Sequence, residues 1–175
     1  MQVENFSNRY QVRHLTEEDV EIVFSLCEQN SLYYEYCPPF VTRDSIRKDM
    51  AALPPKKSME DKYYLGWFDG DRLIAVMDLV DGYPDARTAF IGFFMTEVSV
   101  QKTGVGSAII SELCDSLRAQ RYAAVRLGWV KGNPQSEAFW HKNQFVETGV
   151  TYDTDGYTVI VAKRELERDI DNDIA

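Results

Sequence analysis

Histidine and cysteine are scarce in this chain of 175 residues, which has two histidines and three cysteines. The cysteines, Cys27, Cys37 and Cys114, form no C-x-x-C pair, and their odd number does not suit a disulfide framework. With so few histidines beside them, they do not predict a zinc site either. Cys114 falls within a helical pattern and is interpreted as a small core residue. We therefore expect neither a metal nor a structural disulfide.

Positive charge and long apolar runs are also lacking. The 19 Lys and Arg residues face 28 Asp and Glu residues, and the formal charge of −9 argues against a nucleic-acid partner, whose phosphates bind Lys and Arg. No apolar run is long enough to cross a bilayer, and the N-terminus lacks the pattern of a secretory signal. These absences predict a cytoplasmic protein without membrane contact. The acidity favours, through long-range steering, an amine or another cationic substrate.

Alternating strand and helix patterns predict one α/β domain at residues 1–164, followed by an acidic, frayed tail at 165–175. The predicted order is strand, two helices, three strands, helix, strand, helix and two strands. It predicts a mixed sheet of about seven strands with about four helices around it. Thr16 and Thr42 are predicted helix N-caps, and Asp69-Gly70 predicts a hairpin turn. The apolar run at 89–96 predicts a central strand that is buried on both faces.

A loop with two glycines, Gln101-Lys102-Thr103-Gly104-Val105-Gly106, follows that run and leads into an amphipathic helix. Glycines let backbone N–H groups turn toward an anion, and a helix N-terminus adds unpaired N–H groups and partial positive charge. The loop therefore predicts a phosphate site that needs no lysine, although a tight strand-to-helix turn would use the same glycines. Its sequence matches neither the P-loop pattern G-x-x-x-x-G-K-[ST] nor the dinucleotide-binding pattern G-x-G-x-x-G.

In this setting the loop resembles the Q/R-x-x-G-x-G/A loop that binds acetyl-CoA in the GNAT family of N-acetyltransferases. The stretch from Asn133 to Phe145 resembles that family's later N-x-x-[AS]-x-x-[FL]-[YW]-x-x-x-G-F segment. The resemblance extends over residues 10–163, with the first part matched only in outline. It implies a mostly antiparallel sheet whose fourth and fifth strands splay apart around the cofactor. It also implies transfer of an acetyl group from acetyl-CoA to a primary amine of a small molecule or peptide, and it leaves a homodimer open.

The resemblance implies cofactor contacts at the fourth strand, at the glycine loop and at the later segment. The pantetheine arm would pair with the fourth strand, the pyrophosphate would bind backbone N–H groups of the loop, and Asn133 would reach the pantetheine arm. An N-cap role for Asn133 is compatible with that contact. The implied cofactor-binding residues are Phe94, Met95, Thr96, Gln101, Lys102, Thr103, Gly104, Val105, Gly106, Ser107, Asn133 and Trp140.

The catalytic groups are less well defined by the sequence. Glu97 follows the fourth strand and is the candidate general base, acting through water, although an ordinary solvent-facing glutamate fits the same position. Many family members have a tyrosine acid where this chain has Trp140, whose indole N–H has no useful acidity. The thiolate then leaves unaided, or Tyr152 or Tyr157 protonates it. The missing tyrosine also leaves open a catalytically silent domain that binds or senses acyl-CoA.

Several aromatic residues, Gln144 and His141 also carry expectations. By the resemblance, aromatic residues before the second strand and near a later turn line the acceptor pocket, although at least half of them also fit an ordinary core. Gln144 replaces the family's usual glycine and puts the local turn in doubt, while His141 beside Lys142 is interpreted as a surface residue. The aromatic candidates are Tyr33, Tyr34, Tyr36, Phe40 and Tyr83.

Overall fold

A single mixed sheet organises the computed structural model, which describes residues 1–166. Within that range seven strands lie in the order β1-β2-β3-β4-β5-β7-β6. Only β4 and β5 pair in parallel, and every other neighbouring pair is antiparallel. The strands are β1 (Gln11–His14), β2 (Lys62–Asp69), β3 (Arg72–Val80), β4 (Thr88–Thr96), β5 (Ala124–Val130), β6 (Val146–Asp153) and β7 (Thr158–Glu165).

Five α-helices flank this sheet within the described residues, one more than the sequence pattern predicts. The additional helix, α2, lies in the aromatic connection. It spans six residues, which is too short to show an apolar repeat, and Pro38 follows soon after its end. The helices are α1 (Val20–Glu28), α2 (Ser31–Tyr36), α3 (Arg43–Ala51), α4 (Val105–Ala119) and α5 (Pro134–Lys142).

Local signals in the sequence place the ends of several elements correctly. Thr42 is the N-cap of α3, and its side chain accepts a hydrogen bond from the backbone N–H of Ser45 at 3.0 Å. Thr16 and Asp19 form a capping box around a short 3-10 turn that precedes α1. Gly70 has a φ of +61° between β2 and β3, as the predicted hairpin requires.

Buried side chains form two cores, one on each face of the sheet. Trp67 and Met77 belong to a larger core with the apolar residues of α4 and α5, whereas their neighbours Phe68 and Val76 pack with residues of α1 and α3. Successive residues of a strand point to opposite faces, so helices cover both sides of the sheet. Cys114 is fully buried in the larger core, and burial raises the pKa of its thiol to about 11.

The prediction that β4 is buried on both faces is correct only for its first half. Residues 88–91 are mostly buried, but Gly92 is exposed, and Phe93, Phe94 and Thr96 are partly exposed. The cause is the loss of a neighbouring strand, because the pairing with β5 ends at Ile91. The second half of β4 therefore borders an opening in the sheet.

The end of the described chain is integrated into the fold. β7 continues through Glu165, and Leu166 is buried, with its carbonyl oxygen accepting a hydrogen bond from Arg118 Nε at 2.6 Å. The remainder of the expected tail, 167–175, lies outside the described residues. No helix in residues 1–166 is both long enough and apolar enough to cross a membrane.

Candidate functional site

A fork between β4 and β5 creates the main cleft of the protein. The two strands pair from Thr88 and Ala124 to Ile91 and Leu127, and within the described residues they do not pair beyond that point. A bulge in β4 coincides with the separation, because Phe93 lies opposite Asp78 while Ile91 lies opposite Leu79, which makes Gly92 the extra residue. Bulges bend the strand that carries them, and this one directs β4 away from β5.

The cleft has a volume of about 510 Å³ and is bordered by β4, β5, the loop before α4, and α5. The second half of β4 pairs with β3 along one side only. In such a strand, alternate residues direct their backbone N–H and C=O groups to the unpaired side. An extended ligand can therefore form hydrogen bonds with β4 as an added strand would.

The glycine loop borders the cleft at the start of α4. Gly104, the N-cap of α4, has a φ of +92°, and no side chain in the described residues caps the helix. Lys102 also has a positive φ, of +61°. The first N–H groups of a helix have no partner within it and carry partial positive charge. The arrangement can hold a phosphate group at the start of α4.

Close contact between α4 and α5 supports this loop. A Cβ on Gly106 would lie 3.2 Å from Phe139 Cε2, so the glycine allows the two helices to approach closely. Asn143 Nδ2, at the end of α5, donates hydrogen bonds to Ser107 Oγ at 3.2 Å and to the carbonyl oxygen of Phe139 at 2.8 Å. The start of α4 is therefore attached to the end of α5.

Gln101 connects the loop to the opposite side of the fold. Its Nε2 donates to Asn30 Oδ1 at 2.6 Å and to the carbonyl oxygen of Thr96 at 3.2 Å. Asn30 lies between α1 and α2 and also borders the cleft. Asn30 was not predicted from the sequence, because an asparagine between two helical segments is ordinarily explained as a cap.

Asn133 and Trp140 form much of the wall contributed by α5. Asn133 is 4% exposed and caps the helix, accepting a hydrogen bond from the backbone N–H of Ser136 at 3.1 Å. Trp140 is buried, and its ring centroid lies 6.0 Å from that of Phe94 and 5.1 Å from that of Phe145. Gln144 has a φ of +67°, so it adopts the left-handed conformation that suits the glycine usual in the family.

The structure brings most of the predicted cofactor residues to this cleft. Thr103 and Val105 are not among the described residues that line it: the Thr103 hydroxyl donates to the carbonyl oxygen of Val100 at 2.6 Å, and Val105 packs against the larger core. The predicted residues that do line it are Phe94, Met95, Thr96, Gln101, Lys102, Gly104, Gly106, Ser107, Asn133 and Trp140.

Glu97 is placed differently from these residues. Its carboxylate forms an ion pair with the Arg72 guanidinium, and its side chain is 21% exposed. Glu97 is not among the described residues that line the cleft. The structure thus assigns this carboxylate a protein partner on β3, and a role as general base stays a prediction.

Three polar side chains meet on the side of the cleft that faces α2. The Tyr33 ring packs edge-on against Phe93 at 5.7 Å, and Cys37 Sγ donates to Tyr157 Oη at 3.6 Å. The hydrogen bond with Cys37, together with burial, raises the pKa of Tyr157, and burial raises that of Tyr33 well above its ordinary value. These hydroxyl groups therefore stay protonated at neutral pH.

The predicted aromatic residues differ in their position relative to the cleft. Tyr33 is the predicted acceptor-pocket residue that lines the cleft within the described chain. Of the two alternative acids, Tyr157 lines the cleft, whereas Tyr152 is 55% exposed on β6. His141 lies at the surface with Glu147 as its neighbour. The candidates absent from the described lining are Tyr34, Tyr36, Phe40 and Tyr83.

The charge of the cleft differs from that of the whole chain. Among its described lining residues, Lys102 and Lys142 are charged and none is Asp or Glu. The formal charge of −9 therefore resides elsewhere on the protein. A cationic lining beside a helix N-terminus suits an anionic ligand.

Comparison with known proteins identifies the same region. The model of the family described as "Acetyltransferase (GNAT) family" matches residues 28–145, which include both the glycine loop and the Asn133 segment. A search of curated protein sequences finds no significant match.

Several solved acetyltransferase structures share the fold at low sequence identity. An acetyltransferase from Thermus thermophilus superposes with a TM-score of 0.71 at 16% identity, covering 89% of this chain and 96% of that one. The ribosomal-protein-S18-alanine N-acetyltransferase from Escherichia coli gives 0.65 at 14% identity, with coverages of 93% and 97%. The PaiA N-acetyltransferase from Thermoplasma acidophilum, solved in complex with coenzyme A, gives 0.63 at 20%, with coverages of 89% and 98%.

The cap at Asn133 leads to a prediction about stability. Asn133→Ala removes the acceptor for the Ser136 N–H group and should lower the free energy of unfolding by about 1 kcal/mol. Asn133→Ser retains a capping oxygen and should be less destabilised. Urea denaturation of both variants measures the difference, and equal stability of Asn133→Ala and the unmodified protein would contradict the capping role.

Proposed function

Because the chain belongs to the GNAT family of acetyltransferases, we propose that it transfers an acetyl group from acetyl-CoA to a primary amine of a small molecule or peptide. The observation that carries this proposal is the fork, which joins an unpaired edge of β4 to an uncapped helix N-terminus within one cleft. Acetyl-CoA has the matching parts, since an extended amide-containing arm connects its thioester to a pyrophosphate. Cytoplasmic residence stays an expectation from the sequence.

The residues present fit this cosubstrate. The N–H groups at the start of α4 and the nearby Lys102 suit the pyrophosphate, and the free edge of β4 from Phe93 to Thr96 suits the amides of the arm. The ligand supplies an activated acyl group. Backbone N–H groups of β4 beyond the fork would polarise the thioester carbonyl, as hydrogen-bond donors do in acyl transfer.

A second candidate function is a catalytically silent domain that binds or senses acyl-CoA. The observation that favours it is Trp140, which occupies the position of the family's tyrosine acid and is packed among aromatic rings. An indole cannot protonate a departing thiolate. Tyr157 also lines the cleft and its hydroxyl remains protonated, so a proton donor other than Trp140 is present.

Incubation with acetyl-CoA and a panel of primary amines separates the two functions. We expect release of the CoA thiol, detected with a thiol reagent, together with an amine that has gained one acetyl group by mass spectrometry. Binding of acetyl-CoA without release with any amine would favour the silent domain. Failure of acetyl-CoA to bind, measured by calorimetry, would overturn both functions.

The positive φ of Gly104 yields a prediction about affinity. Gly104→Ala introduces a Cβ that the left-handed region disfavours, at a cost of about 1–2 kcal/mol, and the loop should relax and lose its aligned N–H groups. We expect acetyl-CoA to bind at least about tenfold more weakly, which corresponds to about 1.4 kcal/mol.

Gly149 supplies the matched control for this change. It lies in β6 with a φ of +81°, and a Cβ at either glycine would have no neighbour within 4 Å. Gly149→Ala should therefore produce similar strain without a change in the dissociation constant of acetyl-CoA. Equal affinities of the two variants would contradict the assignment of the phosphate loop.

The ion pair between Glu97 and Arg72 allows the general-base prediction to be tested. A group that acts as general base contributes about 100-fold or more to kcat. Because the carboxylate is paired outside the cleft, we expect Glu97→Gln and Arg72→Gln to change kcat equally and by less than about threefold. A large loss of kcat in Glu97→Gln alone, measured by CoA release, would establish Glu97 as the base.

A further inference from the structure

A buried ion pair lies behind the fork. Lys62 Nζ donates to Asp78 Oδ2 at 2.8 Å and to the carbonyl oxygen of Ala52 at 2.6 Å. The side chains of Lys62 and Asp78 are only 2% and 12% exposed. The second carboxylate oxygen, Asp78 Oδ1, is buried and has no hydrogen-bond partner among the described residues. Lys62 therefore satisfies only half of this carboxylate.

Gly92 brings the carboxylate against the cleft. This glycine is the extra residue of the β4 bulge, lines the cleft and is exposed. A Cβ built on it would lie 2.7 Å from Asp78 Oδ2 and 3.3 Å from Asp78 Cγ. A larger residue would therefore displace the carboxylate. Asp78 is not itself among the described residues that line the cleft, and it meets that lining at Gly92.

The proposed reaction needs a base, and the described lining of the cleft supplies no carboxylate for it. An alkylamine reaches the enzyme as an ammonium ion and must lose a proton before its nitrogen can attack a thioester. The described lining of the cleft contains no Asp or Glu for that task. Burial raises the pKa of Asp78, while the hydrogen bond from Lys62 acts in the opposite direction. Burial is the larger of the two effects, so the pKa of Asp78 is raised and its carboxylate is a stronger base than an exposed one.

We propose that Asp78 is the general base that accepts the proton of the acceptor ammonium, acting beside Gly92 at the fork. The inference rests on the proposed transferase function. The ammonium loses one proton to Asp78, and its nitrogen lone pair forms the new C–N bond as the C–S bond breaks. The second proton that the nitrogen loses goes to the departing thiolate, and Asp78 releases its proton to solvent. The products are the N-acetylated amine, free CoA thiol and one proton.

A structural role is the alternative explanation, since buried ion pairs occur without any catalytic duty. The chain contains a matched pair for comparison. Asp19 is 8% exposed, close to the 9% of Asp78, and bonds to Arg13 at 2.7 Å, but it lies at the start of α1, whereas Asp78 lies against the cleft residue Gly92. Unlike Asp78, it also bonds to the Thr16 backbone N–H, at 2.8 Å.

The test compares Asp78→Asn with Asp19→Asn, using CoA release with the amine found in the panel. We expect Asp78→Asn to lower kcat by about 100-fold or more while the dissociation constant of acetyl-CoA changes by less than about twofold. Asp19→Asn should retain kcat within about threefold although it also loses a buried charge. Equal activity of the two variants would overturn the proposal.

A readout based on amine basicity separates proton removal from packing. Acceptor analogues whose nitrogen is less basic arrive partly deprotonated, so the loss caused by Asp78→Asn should shrink steadily as amine basicity falls. A purely structural defect would reduce the rate with all analogues by the same factor. A uniform loss across the series would therefore count against Asp78 as the base.

A charge-free replacement keeps the test valid if Asp78→Asn does not fold. The double variant Lys62→Met and Asp78→Leu removes both charges and fills the space with apolar atoms, which folded proteins often tolerate. We expect it to bind acetyl-CoA and to show the same loss of kcat. A folded double variant with unchanged kcat would overturn the role of Asp78 as general base and leave the transferase function intact. An unmodified protein that binds acetyl-CoA but acetylates no amine would overturn the transferase function as well.

Discussion

The interruption of the parallel pairing between β4 and β5 is the constraint on which the rest of the site depends. Backbone groups that leave a sheet must find other partners or remain available to a ligand. Here a bulge at Gly92 turns β4 away from β5, and α5 with its aromatic residues occupies part of the space that opens. The same bulge places Asp78 against the cleft. One extra residue in a strand thus accounts for both the opening and the contact between Asp78 and Gly92.

Features that depend on neighbouring residues could be predicted from the sequence. The N-caps at Thr42 and Asn133, the hairpin at Gly70 and the turn at Gly104 each follow from local backbone requirements. The seven strands also follow from local apolar patterns, and the family assignment follows from two short motifs in the right order. The short helix α2 was missed because six residues are too few to show a helical repeat.

Contacts between distant parts of the chain could not be predicted in this way. Asn30, Cys37 and Tyr157 reach the cleft from separate connections, and no spacing in the sequence indicates that they meet. Asp78 is the clearest example, since in the sequence it is one polar residue within an apolar strand. The position of Asp78 next to the bulge depends on the register between β3 and β4. The ion pair of Glu97 with Arg72 is a further contact that the sequence does not indicate.

The hydrogen bonds of Gln101 have a consequence for the energetics of ligand binding. Its side chain joins the glycine loop to Asn30 and to the end of β4, so the protein's own groups hold the loop in place. The conformational entropy of this segment is then lost when the chain folds, and not again when a ligand arrives. Preorganisation of this kind leaves more of the interaction free energy available as affinity. The entropy of ordering this loop is therefore lost during folding, whereas a flexible phosphate-binding loop loses it when the ligand binds.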